Sequence, residues 1–166
     1  MKKLRLITLM LVAVIGLSAC GSGTAEVPKD VKNVQNATYP VGSEVIIKAD
    51  HKPGMQGAKG KVVAAYETTA YAVTYTPTTG GAPVTNHKWI IHEEIKSHVK
   101  KPYAPGTEVI LKADHEKGMM DASAKIDSAE TTTVYMVDYT PTTGGGEVKN
   151  HKWVIESEIE PAPAKK

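Results

Sequence analysis

The segment Tyr75–Trp89, Y-T-P-T-T-G-G-A-P-V-T-N-H-K-W, recurs without a gap as Tyr139–Trp153, Y-T-P-T-T-G-G-G-E-V-K-N-H-K-W. Self-similarity at a fixed offset marks a tandem duplication of one small unit, and that narrows the possible folds more than any other feature. A chain of 166 residues could form one ordinary domain. The duplication instead divides it into 39–95 and 103–159, units that bury only a thin core if each stands alone. There is no Phe, so Tyr71, Tyr75 and Trp89, with Tyr135, Tyr139 and Trp153, must supply most of the aromatic bulk.

Within each unit the periodicity is that of strands. Glu44–Ala49 and Glu108–Ala113 are dense in β-branched residues. Lys61–Tyr66 and Thr69–Tyr75 follow in the first copy, and Lys125–Ala129 and Thr133–Tyr139 in the second. Thr69, Tyr71, Val73 and Tyr75 share one face by the period of two. Thr85–Ile91 and Val148–Ile155 close each unit, with His87, Trp89 and Ile91 expected on one face. Pro and paired Gly punctuate the loops 50–57 and 76–83. Many short strands and little helix predict a mainly-β protein of two tandem small barrels. The opening Gly-x-Glu-Val and closing Lys-Trp-Ile/Val…Glu-Ile resemble SH3-like barrels. Residues 96–102, basic and Pro-bearing, are expected as a linker between independent units, and 160–166 as a polar tail.

Residues 1–19 have the layout of a signal peptide, with Lys2, Lys3 and Arg5 ahead of an apolar run too short to span a bilayer comfortably. The run closes in Leu17-Ser18-Ala19-Cys20-Gly21, which resembles a bacterial lipobox with Cys20 as the lipidated residue. Removal of the leader takes the formal charge from +2 to about −1, a balance that argues against a nucleic-acid partner. Cys20 is the sole cysteine, so no intrachain disulfide can form. Residues 20–38 are poor in large apolar side chains and are expected as a disordered tether. These features place the protein on the outer face of the cell membrane, with the lipid bilayer as a partner through Cys20.

Some residues shared by the two copies have no evident structural duty. They are Asp50, His51, Gly54 and Met55, matched by Asp114, His115, Gly118 and Met119, and His87 with Trp89, matched by His151 with Trp153. Two readings stand. Met can fill a core while His faces water or satisfies a loop carbonyl. Alternatively His and Met, four apart in a Gly-containing loop, can enclose one ion, and a thioether selects Cu(I). On the second reading His51, Met55 and His87 hold one Cu(I), and His115, Met119 and His151 another. Trp89 and Trp153 would lend cation–π contacts, with Asp50 and Asp114 nearby; Cu(II) on an Asp/His set is the alternative. No nucleophile with a base, no phosphate loop and no other catalytic constellation is present, so no enzyme activity is expected.

V-I-I-K-A-D-H-x-x-G-M, T-x-Y-x-V-x-Y-T-P-T-T-G-G and V-x-N-H-K-W-[IV] together resemble the YdhK-type domain of Gram-positive lipoproteins. That family includes copper-tolerance lipoproteins called CopL. The resemblance covers Tyr39 to Ile159. It implies a membrane-anchored, extracytoplasmic protein that binds copper, limits its toxicity and has a copper-exporting transporter as a candidate recipient. The competing expectation is a cell-wall or protein-interaction module without metal, which requires an exposed aromatic groove.

Overall fold

The computed structural model describes residues 26–164; the leader and Cys20 lie outside the described residues. Eight strands form one sheet. They are β1 (Lys32–Asn33), β2 (Glu44–Ile47), β3 (Lys59–Tyr75), β4 (Val84–Ile91), β5 (Glu108–Ile110), β6 (Ser123–Tyr139), β7 (Val148–Ile155) and β8 (Ile159–Pro161). The mainly-β, duplicated character holds. The two units do not stand apart as separate barrels, however; they share one open sheet. The sheet runs β5-β6-β3-β2-β8, with β1 and β4 also on β3 and β7 also on β6.

The two strand pairs expected on either side of Glu67-Thr68 and of Glu130–Thr132 are fused into the 17-residue strands β3 and β6. Glu, Thr and Thr offer no Gly or Pro to break a strand, and the β-branched threonines favour extended backbone. The two long strands pair antiparallel from Gly60↔Tyr139 to Tyr75↔Ala124. Those two end pairs occupy equivalent positions in the duplication, so the pairing has an approximate twofold axis at its middle. Each strand thus starts in one lobe of the molecule and ends in the other.

The cores follow from that crossing. One contains Val45, Ile47, Ala49, Met55, Ala58, Val62 and Ala65 of the first copy, with Tyr135, Val137, Tyr139, Val154 and Ile159 of the second. The other is the reverse: Tyr71, Val73, Tyr75, Ile90 and Ile95 of the first copy join Val109, Leu111, Ala113, Met119, Ala122, Ala124 and Ile126 of the second. Strand closure is reciprocal too. Ile159 of β8 pairs with Ile47, and Ile95 bridges Leu111. Both of these cores are therefore made of the front half of one copy and the back half of the other, which corrects the expectation of two independent units. Near the axis a third cluster sets Ala70, Ala72, Trp89 and Ile91 against Val134, Met136, Trp153 and Ile155.

Glycine positions explain part of the shared loop motif. Gly54 has φ +76°, and a Cβ there would lie 2.4 Å from Thr143 Oγ1; at Gly118, φ +81°, it would lie 2.6 Å from Thr79 Oγ1. The Pro-Thr-Thr-Gly-Gly loop of each copy rests on the Gly-Met loop of the other, with Thr142 N–H donating to the Gly54 carbonyl at 2.8 Å and Thr78 N–H to that of Gly118 at 2.9 Å. Only a residue without a side chain permits this approach at that backbone angle.

Three boundaries are also corrected. Part of the expected tether is packed: Val31 is buried in the third cluster, β1 pairs with Tyr66 and Glu67, and Val34 N–H donates to the Ala65 carbonyl. A valine at every third or fourth place (Val27, Val31, Val34) supplies enough apolar surface to dock the segment. Residues 96–102 are laced to both copies. Lys96 N–H donates to the Ile110 carbonyl at 2.8 Å, its Nζ lies 2.5 Å from Asp121, and His92 Nε2 donates to the Val99 carbonyl at 2.5 Å. The tail begins as strand, since Glu160 and Pro161 belong to β8.

Candidate functional site

The two Asn-His-Lys-Trp segments lie on β4 and β7, which touch near the axis. Asn86 and Asn150 take φ of 50° and 51°, a left-handed region that Asn tolerates better than most residues. Asn86 N–H donates to Thr74 Oγ1 and Asn150 N–H to Asp138 Oδ1. The β3–β4 register shifts between Tyr71↔Ile90 and Val73↔His87, and β6–β7 shifts at the equivalent place. This bulge breaks the period of two. His87 consequently rests on Tyr75, ring centroids 5.9 Å apart, while Trp89 turns into the third cluster. The Lys88–Trp89 and Lys152–Trp153 peptides are cis.

A cavity of about 1360 Å³ lies between these strands and the two Asp-His loops, and all four of His51, His87, His115 and His151 line it. The site is therefore shared by the copies. Four imidazoles that the sequence assigns to two separate places meet in one. His87 and His115, from different copies, have ring centroids 6.3 Å apart, and His151 feels the charge of His51, His115 and His87.

Two glutamates that the sequence reading passed over hold this arrangement. Glu94 and Glu158 end the 3-10 turns His92–Glu94 and Glu156–Glu158 and reach back to the N–H of Ile91 and Ile155, each at 3.1 Å. Each then crosses to the other copy. Glu94 accepts from His115 Nε2 at 2.8 Å and from Trp153 Nε1 at 3.0 Å. Glu158 accepts from His51 Nε2 and Trp89 Nε1, both at 2.8 Å. Burial alone would push the Glu94 carboxyl up, but His115 beside it and the donated hydrogen bonds hold it below the usual range. Glu158 is held down in the same way, against its burial, by His51 and Trp89. The signal available in sequence was their equivalence: a Glu three residues past the last strand in both copies.

These carboxylates fix the imidazole tautomer. With the proton on Nε2, the neutral rings of His51 and His115 present Nδ1 as a bare lone pair. Both Nδ1 atoms, and Nε2 of His151, are buried with no hydrogen-bond partner, on side chains only 8% and 7% exposed for His51 and His115. Buried polar atoms without partners are rare and call for a ligand or water. Burial first, and the charges of neighbouring His and Lys after it, lower His87 to about 4 and His151 to about 3. The His87 and His151 imidazoles are thus available uncharged at neutral pH, as metal ligation requires. Among the described residues no three His, Cys, Asp or Glu side chains are spaced to hold one ion as they stand; within the cavity, the rings of His87 and His115 lie in contact. Two imidazoles on either side of one ion, at nitrogen–metal distances of about 2.0 Å, place their ring centroids roughly 6 Å apart. The 6.3 Å between the His87 and His115 rings matches that separation.

Met55 and Met119 are not brought to the site. Both are fully buried, one in each lobe core, and neither lines the cavity. The same Gly that admits the opposing loop turns the chain inward, so each Met packs as an apolar side chain. Trp89 and Trp153 do not line the cavity either. Their indole N–H groups serve Glu158 and Glu94, and their faces are covered by Lys88 Nζ at 4.9 Å and Lys152 Nζ at 5.8 Å, so the cation they meet is lysine. Asp50 and Asp114 do line the cavity, exposed at its rim.

A family model described as "Protein of unknown function (DUF1541)" matches residues 41–92 and 105–156. The chain is 58% identical over 138 residues to the uncharacterized protein YdhK of Bacillus subtilis strain 168, covering 83% of this chain and 67% of that protein. A crystal structure of ydhK from the same organism matches with a TM-score of 0.82 at 57% identity, over 85% of this chain and 96% of that one. A solution structure of the ydhK C-terminal domain matches with a TM-score of 0.70 at 60% identity, over 74% and 92% of the respective chains.

Proposed function

This chain belongs to the DUF1541 family, whose description assigns no activity, and from that premise we propose its role on the chemistry of the cavity: it is a lipid-anchored, extracytoplasmic copper-binding protein that sequesters copper and limits its toxicity. The observation that carries this reading is the set of three buried, unpartnered imidazole nitrogens, on His51, His115 and His151, in one cavity with His87. Imidazole suits copper among the first-row metals, and the Glu94 and Glu158 contacts are the kind of outer hydrogen bond that orients ligating histidines. Bound copper would be a Lewis-acidic cation held by nitrogen donors. The protein's part is to present those donors uncharged, to keep water from them, and to draw cations past Asp50 and Asp114. The copper-exporting transporter remains the proposed recipient, and Cys20 the proposed anchor.

Among the described residues the exposed large apolar side chains are Val41, Val99, Ile110 and Met120, none of them aromatic, so the cell-wall reading gains no support. The test is an anaerobic Cu(I) titration of the full mature chain against a competing chelator. Replacing all four of His51, His87, His115 and His151 by Gln is expected to abolish tight binding with the fold retained by circular dichroism. Parent-like affinity in that variant would overturn the proposal.

A further inference from the structure

The four histidines fall into two half-sites related by the duplication. In one, the loop of the second copy lays His115 and Glu116 against Tyr75 and His87 of the first. His87 is 5.9 Å from Tyr75 and 6.3 Å from His115 by ring centroids, and the charge of Glu116 acts on both Tyr75 and His87. In the other, the loop of the first copy lays His51 and Lys52 against Tyr139 and His151 of the second. His151 is 5.6 Å from Tyr139, and the charge of Lys52 acts on both; it reaches His87 as well, but there it ranks behind Glu116. Each His and Tyr has its counterpart. Two charged positions break the symmetry: Lys149, which stands where the first copy has Thr85 and is paired with Asp138 and Glu147, and the residue after the loop histidine, lysine in one copy and glutamate in the other, which pair with each other across the axis.

We propose that the half-site of His87, His115 and Glu116 takes the first Cu(I), and that the half-site of His51 and His151, next to Lys52, takes a second at least tenfold more weakly. This rests on the copper reading above and adds an order to it. The donors do not set that order, because unpartnered nitrogens occur in both halves, His115 Nδ1 in one and His51 Nδ1 and His151 Nε2 in the other. Charge sets it. An ion held by neutral imidazoles keeps its positive charge, so a carboxylate beside it attracts and an ammonium repels. In a partly buried site neither effect is fully screened. Glu116 can also offer an oxygen to the first ion. Lys52 can offer nothing to the second unless it gives up its proton.

The full mature chain titrated anaerobically with Cu(I) in chelator-buffered steps is expected to show two affinities separated tenfold or more. Changing His87 and His115 to Gln should remove the tight step, and changing His51 and His151 to Gln should leave it. Lys52→Gln should raise the weaker affinity about tenfold, and Glu116→Gln should lower the tighter one. The Lys52 and Glu116 side chains are 43% and 42% exposed, so these two variants read charge without endangering the fold. Loss of the tight step on changing His51 and His151 would overturn the assignment. So would an unchanged separation in Lys52→Gln with an intact fold. A parent chain that binds no Cu(I) would overturn the copper reading and the order together, a result unlike either of those.

Discussion

At the scale of residues, the Gly-Met pair in each loop illustrates how one motif can carry unrelated duties. Gly54 and Gly118 admit the opposing Thr-Thr-Gly-Gly loop, and Met55 and Met119 fill the lobes. Gly54→Ala forces a Cβ into Thr143 at a positive φ, so a loss above about 1 kcal/mol is expected in urea unfolding. Met55→Leu with Met119→Leu should cost less than about 1.5 kcal/mol each and leave Cu(I) affinity unchanged, whereas Met55→Ala should cost about 2–5 kcal/mol. Glu94→Gln leaves His115 and Trp153 facing an amide in a buried place, and about 3 kcal/mol is expected from breaking such a charged network. The histidines add a pH dependence. Burial depresses His87 to about 4 and His151 to about 3 in the folded state, against about 6.5 when unfolded. Below about pH 6.5 the unfolded chain gains protons that the folded chain refuses. Stability of the metal-free protein should therefore fall as pH drops from about 6.5 towards 4 and 3, by up to about 1.4 kcal/mol per unit for each group. Glu94 and Glu158, held low, lose their contribution in the same direction below about pH 4.5. Urea midpoints measured at pH 7, 5.5 and 4.5 check this; a flat profile between 6.5 and 5 would contradict the burial of these imidazoles.

At the scale of elements, the sequence was legible wherever local pattern decides. The alternation of Tyr71, Val73 and Tyr75 is one buried face of β3, and the Gly-rich loops turn where the glycines stand. It was illegible where a strand's partner decides. Nothing local distinguishes two short strands in one barrel from one long strand serving two lobes, because Glu67-Thr68 fits either. The bulge between His87 and Ile90 was equally hidden, and it is what separates His87 from the face of Trp89. For the site, residue types were legible and company was not. The histidines could be singled out, yet each was assigned to its own copy, and the Met ligands were inferred from their spacing to the loop His alone. The crossing of β3 and β6 has a direct consequence. Cleavage in the segment 96–102 should leave two fragments that co-elute as one native species and separate only in denaturant. A fragment spanning 39–95 alone should not fold as a monomer, because its front and back halves belong to different cores. Two cleaved halves that part under native conditions would contradict the interlock.

At the scale of the whole molecule, the interlock and the cavity are one feature. Exchanging halves brings the Asp-His loop of each copy against the Asn-His-Lys-Trp strand of the other, so a duplicated chain converts two lone loop histidines and two lone strand histidines into a single nitrogen-lined cavity. The duplication also lets the copies diverge around the cavity, as at Lys52 against Glu116 and Thr85 against Lys149, where identical subunits could not. The proposed copper site draws its nitrogen donors from both copies, with the thioethers of Met55 and Met119 kept in the cores. X-ray absorption at the copper edge on the anaerobic Cu(I)-loaded mature chain reads this directly. The expected result is a first shell of light scatterers alone at about 2.0 Å; a sulfur shell at about 2.3 Å would contradict it.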